Sequence, residues 1–285
     1  MHINLLGARV DVVDLAGAVE KVADFVAAGR PHQVITLNPE ILYRAQQEPG
    51  LLDLINRADL VTADGAGIVW AARVAGTPVP GRVTGIDLML ALVERAAREG
   101  WRIFLLGAAP GVAEEAARRL RAKHPGLVVA GTQHGYFKPA EEVPAEGAAG
   151  GTAVGVPGGS AAVGGACAAG SEKVPSEWDV VEQVRAAKPD LLFVALGAPK
   201  QEKFIARHRQ SMGVPVSIGV GGSFDVIAGR VARAPLWMQR LNLEWLGRLL
   251  REPRRWRRML VLPRFTWLVW RNYRWGKGNR VAGKG

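Results

Sequence analysis

Six short apolar runs, separated by longer stretches of mostly helical character, recur along the first 222 residues of this chain. They are QVITLN (33–38), DLVTAD (59–64), WRIFLLG (101–107), GLVVAGT (126–132), DLLFVALG (190–197) and VPVSIGVGG (214–222). Each is apolar almost without interruption, which predicts strands buried on both faces. Between them, segments such as GVAEEAARRLRAKH (111–124) carry acids in the first turn and bases in the last, the sense that the helix dipole favours. Alternation of this kind predicts an α/β fold, a Rossmann-like, mostly parallel sheet with helices on both faces. Sheets of that class bind ligands at the carboxyl ends of their strands, so the residues that follow each run are the candidates for function.

Charge divides the chain. Residues 230–285 hold 13 arginines and two lysines against Glu244 and Glu252, a net of +13, whereas the whole chain carries +11, leaving residues 1–229 at −2. Six of the nine tryptophans also lie in the tail. This predicts an α/β domain over 1–229 and a helical, basic and aromatic membrane-docking appendage over 230–285, because Trp, Arg and Leu together suit a membrane interface. Nucleic acid is the competing partner. At 100° per residue Arg248, Arg251, Arg255 and Arg258 fall within an arc of about 80°, opposite Trp245, Leu249, Trp256 and Leu260. Pro253 is expected to split that helix. The stretch MLVLPRFTWLVW, interrupted by Pro263 and Arg264, falls short of the roughly 20 apolar residues of a span, so it is expected to lie on an interface or dip into it.

Two features bound the setting. Cys167 is the only cysteine, so no internal disulfide forms. The N-terminal residues lack a basic region followed by a long apolar run, and the expectation is a cytoplasmic protein. Residues 147–170, with 17 Gly or Ala in 24 positions and no charge, are expected to be a flexible insertion on a surface loop.

The strand ends carry the candidate chemistry. Thr36 and Asn38 project to one side of the chain before Pro39, although Asn38 alone would serve as a helix N-cap. Asp64, in Thr-Ala-Asp-Gly-Ala-Gly, sets a carboxylate among glycines, with a capping role as the alternative. Arg82 among glycines suits an anionic group. The turn from Gly107 to Gly111 opens a helix and is a weak candidate for a phosphate seat. Gln201 follows the fifth run with an amide. Asp225, in Gly-Val-Gly-Gly-Ser-Phe-Asp, suits a base or ribose, or else a tight turn.

In order, TLNPE, TADGAG, RVTG, LGAAPGV, ALGAPKQE, GVGGSFD and RAPLWMQRLNLEWLGRLLREPRRWRR resemble the bacterial WecG/TagA/CpsF glycosyltransferases, glycosyltransferase family 26, over residues 1 to about 262. The resemblance implies an inverting, metal-independent transfer of N-acetylmannosamine or a related sugar. The donor is a UDP-sugar and the acceptor an undecaprenyl-diphosphate-linked N-acetylglucosamine at the cytoplasmic membrane face, in the synthesis of teichoic acid, a capsule or an S-layer anchoring glycan. It further implies that Asp64 is the base, that Thr36, Asn38, Arg82 and Gln201 line the sugar site, and that Arg248, Arg255 and Arg258 are the tail arginines of the family. The chemistry agrees. A direct inverting displacement needs one base and a means of stabilising the leaving diphosphate. No Asp-x-Asp pair for a divalent metal occurs, so no cofactor is expected and arginines take that role. A UDP-sugar, a lipid-linked acceptor and the membrane surface are the expected partners, nucleic acid is not, and oligomerisation is left open. An NAD(P)-dependent oxidoreductase is the alternative from another class, but no GxGxxG precedes a correctly spaced acid. A non-enzymatic nucleic-acid binder using the basic tail is the other.

Overall fold

The structure, a computed structural model, describes residues 1–138, 174–235, 237, 238 and 260–275. The chain opens with an antiparallel hairpin, β1 (His2–Leu5) and β2 (Ala8–Asp11). Leu6 and Gly7 turn it with φ of 52° and 85°, as a two-residue hairpin with right-handed strand twist requires. The Asn4 side chain accepts from the Gly7 amide at 2.9 Å. This hairpin is absent from the expectations above, because its alternation is only four residues long on each side.

After α1 (Leu15–Ala28) come β3 (His32–Leu37), α2 (Pro39–Ala45), α3 (Pro49–Arg57), β4 (Leu60–Ala63), α4 (Ala66–Val74) and α5 (Gly85–Glu99). Then follow β5 (Arg102–Gly107), α6 (Val112–Lys123), β6 (Val128–Gln133), α7 (Glu177–Ala187), β7 (Leu191–Ala195), α8 (Lys200–Met212), β8 (Val216–Gly219) and α9 (Ser223–Ile227). Strands β3 to β8 form one parallel sheet in the order β4-β3-β8-β7-β5-β6. All six predicted runs are strands of that sheet.

Alternate residues of each strand feed opposite faces, as the twofold period of a strand dictates. In β5, Ile103 and Leu105 pack with α1, α5 and α6, whereas Phe104 and Leu106 pack with α7 and α8. In β3, Ile35 and Leu37 join a further cluster with the hairpin, α2, α3 and α4. One expectation is corrected. The run that becomes β6 is not buried on both faces; Val128 is 40% exposed and the other five residues half-buried, because β6 is an edge strand that lacks the cover β2 gives to β4, the fully buried strand at the opposite edge.

The insertion leaves the sheet undisturbed. The Lys138 amide donates to Pro175 O and the Glu177 amide donates to Lys138 O, both at 2.9 Å, so the chain departs and returns at one point. Ser176 and Asp179 then start α7 with a reciprocal capping box. Residues 147–170 and Cys167 lie outside the described residues, as do Arg248, Arg255 and Arg258.

Helix α10 (Val261–Trp270) lies against α2 and α4. Its Phe265 and Val269 are 1% and 0% exposed within the cluster of the hairpin, α2 and α4, and the Tyr273 hydroxyl accepts from the Leu6 amide at 2.8 Å. The apolar stretch expected at an interface thus commits one face to the protein core, and Trp267 and Trp270 remain exposed. Pro263 sits in the first turn, where a helix tolerates it. Among the described residues no helix is long and apolar enough to cross a membrane.

Candidate active site

The carboxyl ends of β3, β4 and β8 open into a cavity of about 550 Å³. Its polar lining includes Asn38, Glu40, Asp64, Arg82, Thr84 and Arg233, and its apolar lining Trp70, Ile86, Val226, Val261, Leu262 and Phe265. Each polar group is held there by local structure.

Asn38 ends β3 in an extended conformation and caps α2, accepting from the Ile41 amide at 2.9 Å with Pro39 in the first turn. The capping reading of Asn38 therefore holds, and the same side chain lines the cavity. Asp64 is different. The residue capping α4 is Gly65, with φ 90° and no side-chain bond, so the carboxylate one position earlier is not the cap. Instead the amide of Gly85, the first residue of α5, donates to Asp64 Oδ2 at 3.4 Å. The N-terminus of a helix favours negative charge at that point.

Two bonds bring Arg82 to the same place. The Val83 amide donates to Ala63 O at 2.8 Å and the Thr62 hydroxyl to Val83 O at 3.2 Å, laying residues 82–84 along the end of β4. Thr84 then caps α5 and bonds Asp87, whose other oxygen meets Arg233 at 2.6 Å. Arg233 is a cavity residue that the sequence reading passed over; its only signal there was a place in the motif RAPLW. The helix α10 wall was missed because its pairing with α2 and α4 spans more than 180 positions.

The other candidates stand farther off. Thr36 is buried beneath the cavity and its hydroxyl donates to Gly219 O at 3.2 Å. Gln201, 3% exposed, donates through Nε2 to Glu202 Oε1 at 2.9 Å and accepts at Oε1 from the Gly221 amide at 3.1 Å, one layer behind the cavity wall. Gly107 and Gly111 flank the turn after β5, with β7 between them and β8. A Cβ on Gly107, whose φ is 124°, would stand 2.5 Å from the Ala195 carbonyl, so close packing of β5 on β7 requires this glycine. Gly111 caps α6 with φ 78°. Asp225 lies on α9, where its carbonyl accepts from the amides of Arg230 and Val231. Among the described residues no group of three His, Cys, Asp or Glu side chains is placed to hold a metal ion.

Among the described residues, Glu202 has the one strongly buried carboxyl whose protonation is displaced. Burial pushes it up from the ordinary value of 4.5, against the weaker opposing pull of the Gln201 amide and its own backbone N–H. Its Oε2 has no partner. A raised folded value stabilises the fold below the unfolded value near 4.5, and that contribution is lost as pH rises toward the folded one. Glu202→Gln removes this dependence, so its melting temperature relative to the native chain is expected to climb between pH 4 and pH 8. A difference that stays flat across that range contradicts the assignment.

The chain matches a family model described as "Glycosyl transferase WecG/TagA/CpsF family" over residues 3–153 and 159–279. It is 34% identical over 241 residues to the N-acetylglucosaminyldiphosphoundecaprenol N-acetyl-beta-D-mannosaminyltransferase of Bacillus spizizenii, covering 85% of this chain and 79% of that protein. To the protein of the same name from Bacillus subtilis strain 168 it is 34% identical over 236 residues, 83% and 78% of the two chains. The Staphylococcus aureus protein of that name is 30% identical over 269 residues, 94% and 91% of the two.

Proposed function

The chain belongs to the WecG/TagA/CpsF glycosyltransferase family, and we propose that it transfers N-acetylmannosamine from a UDP-sugar to undecaprenyl-diphosphate-linked N-acetylglucosamine. The observation that carries this reading is the cavity itself. Asp64, seated on the N-terminus of α5, lines it with Glu40 and with two guanidiniums, Arg82 and Arg233, and apolar side chains supply much of the remaining wall.

Asp64 accepts the proton of the acceptor hydroxyl as that oxygen bonds to the sugar's anomeric carbon. The bond from that carbon to the diphosphate breaks with inversion, and UDP leaves with the electron pair. No glycosyl-enzyme forms, so a second close carboxylate is not needed. Arg82 and Arg233 stabilise the charge on the departing diphosphate, joined by Arg248, Arg255 and Arg258 of the tail. The diphosphate extends toward the Gly107–Gly111 turn and the nucleoside toward Asp225, along the carboxyl edge of the sheet. Asn38, with Thr36 and Gln201 behind the wall, shapes the sugar pocket.

Trp70, Val261, Leu262 and Phe265 receive the lipid of the acceptor. The exposed Trp267 and Trp270 on the same helix, with the basic tail, hold the protein peripherally on the cytoplasmic face of the membrane. Teichoic acid, a capsule or an S-layer anchoring glycan is the pathway class.

The test is a transfer assay with purified protein, UDP-N-acetylmannosamine and a short-chain lipid-diphosphate N-acetylglucosamine. A disaccharide product is expected, at a rate that EDTA leaves unchanged. No product with any UDP-N-acetylhexosamine overturns the reaction. A rate that collapses on chelation and returns with Mg²⁺ or Mn²⁺ overturns the metal-independent mechanism alone.

A further inference from the structure

Glu202 does not face the cavity, and no step of the proposed reaction uses it. A buried carboxyl with an unpartnered oxygen lowers stability, so its presence on α8 beside Gln201 asks for a reason in geometry. We infer that Glu202 is a positioning residue, fixing Gln201 so that Gln201 holds the turn after β8 in the shape that walls the cavity beside Asp64. The inference rests on the transferase reading above.

The side-chain amide of Gln201 has two unlike ends, and its partners distinguish them. The Gly221 N–H needs an acceptor and takes Gln201 Oε1; Nε2 then donates to Glu202 Oε1. Flipping the amide would set donor against donor at Gly221 and oxygen against oxygen at Glu202. The oriented amide lies flat on the turn, since a Cβ on Gly219 would stand 2.5 Å from Gln201 Nε2. Gly219 O in turn receives the Thr36 hydroxyl.

From there the contacts reach the reacting group. Val220, Gly222 and Ser223 line the cavity. The Cα of Val220 is 3.5 Å from where a Cβ on Gly85 would stand, and the Gly85 amide is the donor to Asp64. The turn is further pinned by the Ser223 hydroxyl, which donates to Val220 O at 2.6 Å. An amide released at Gln201 therefore shifts the wall against which Gly85 and Asp64 are set, and displacements of about 1 Å at such a distance reduce rates by about 10²-fold.

Glu202→Leu removes the acceptor and keeps the apolar bulk. It is expected to stay folded, because loss of the buried carboxyl offsets the donor left unpartnered at Gln201 Nε2, while kcat falls about 10- to 100-fold, a pairing that a merely stabilising residue would not give. Glu202→Gln keeps an acceptor oxygen for Gln201 and is expected to restore kcat. Adding Glu202→Leu to Gln201→Met is expected to cost nothing beyond Gln201→Met alone, because both break the same chain of bonds. Glu202→Met serves if Glu202→Leu misfolds. Native-like kcat in Glu202→Leu, or losses that multiply in the double variant, overturns the inference. Hydrogen exchange at the Gly221 amide separates this failure from failure of the transferase reading. Exchange should accelerate in Glu202→Leu whatever the protein catalyses, and an unchanged rate also overturns the inference.

Discussion

Asp64→Asn is expected to yield a folded protein that turns over about 10²- to 10⁴-fold more slowly, the contribution of a general base. The substitution suits the test because it keeps the size of the side chain and an oxygen to accept from Gly85. Helix α4 is capped by Gly65 rather than by Asp64, so no cap is lost. The Gly85 amide still finds an oxygen on the asparagine side chain, and the Asp64 amide bonds Leu37 O through the backbone, at 2.8 Å, irrespective of the side chain. What disappears is the ability to accept a proton from the acceptor hydroxyl. Circular dichroism and UDP affinity should match the native protein while kcat falls. Native turnover in Asp64→Asn would remove this carboxylate from the mechanism and leave Glu40, which also borders the cavity, as the group to test.

The second large effect comes from one helix with two faces. Phe265 is 1% exposed and seals α10 onto α2 and α4, so Phe265→Ala is expected to cost about 3–5 kcal/mol through the cavity it leaves. In a chain of this size that lowers the melting temperature by about 5–10 °C. It also removes one apolar side chain from the lining of the candidate-site cavity, so on the proposed function the KM for the lipid acceptor should rise. Trp267 and Trp270, at 56% and 46% exposure on the same helix, should behave oppositely. The Arg271 guanidinium stacks over the Trp267 ring at 4.8 Å, a cation beside an aromatic ring as at a lipid headgroup surface. Replacing both tryptophans by alanine should leave the melting temperature in place and weaken co-sedimentation with anionic vesicles. Equal loss of stability in the two variants would contradict the described packing of α10. Undiminished vesicle binding in the double tryptophan variant would move the membrane surface elsewhere, most directly to the arginines of the tail.

These two experiments also divide what local sequence encodes from what it does not. Most of the parallel strands are legible because a strand covered on both faces needs an unbroken apolar run, which holds for the interior strands β3, β8, β7 and β5 and for β4, packed at its edge against β2. The turn residues after β3 and β4 are legible for a related reason. A chain leaving a buried strand for a helix needs particular residues at the junction, so Asn38, Asp64 and Arg82 stand out, and all three line one cavity at the carboxyl ends of the strands. β6 reads the same way in sequence yet lies at an edge, since an apolar run says that a strand packs but not how many neighbours it has.

Strand order was decided by the tertiary structure alone. It places the ends of β3, β4 and β8 around one cavity and sets the Gly107–Gly111 turn two strands away, although all these junctions look alike in sequence. The same holds for Arg233, for Glu202 behind Gln201, and for the face that α10 turns inward. Arg233 meets Asp87, the Gln201 amide that Glu202 holds meets Gly221, and α10 meets α2 and α4, all distant in sequence, and a one-dimensional pattern with a period of two or 3.6 residues registers which face is apolar without registering what it meets. Local physics thus determined the elements and the residue types at their ends, and the packing of those elements determined which ends share a site.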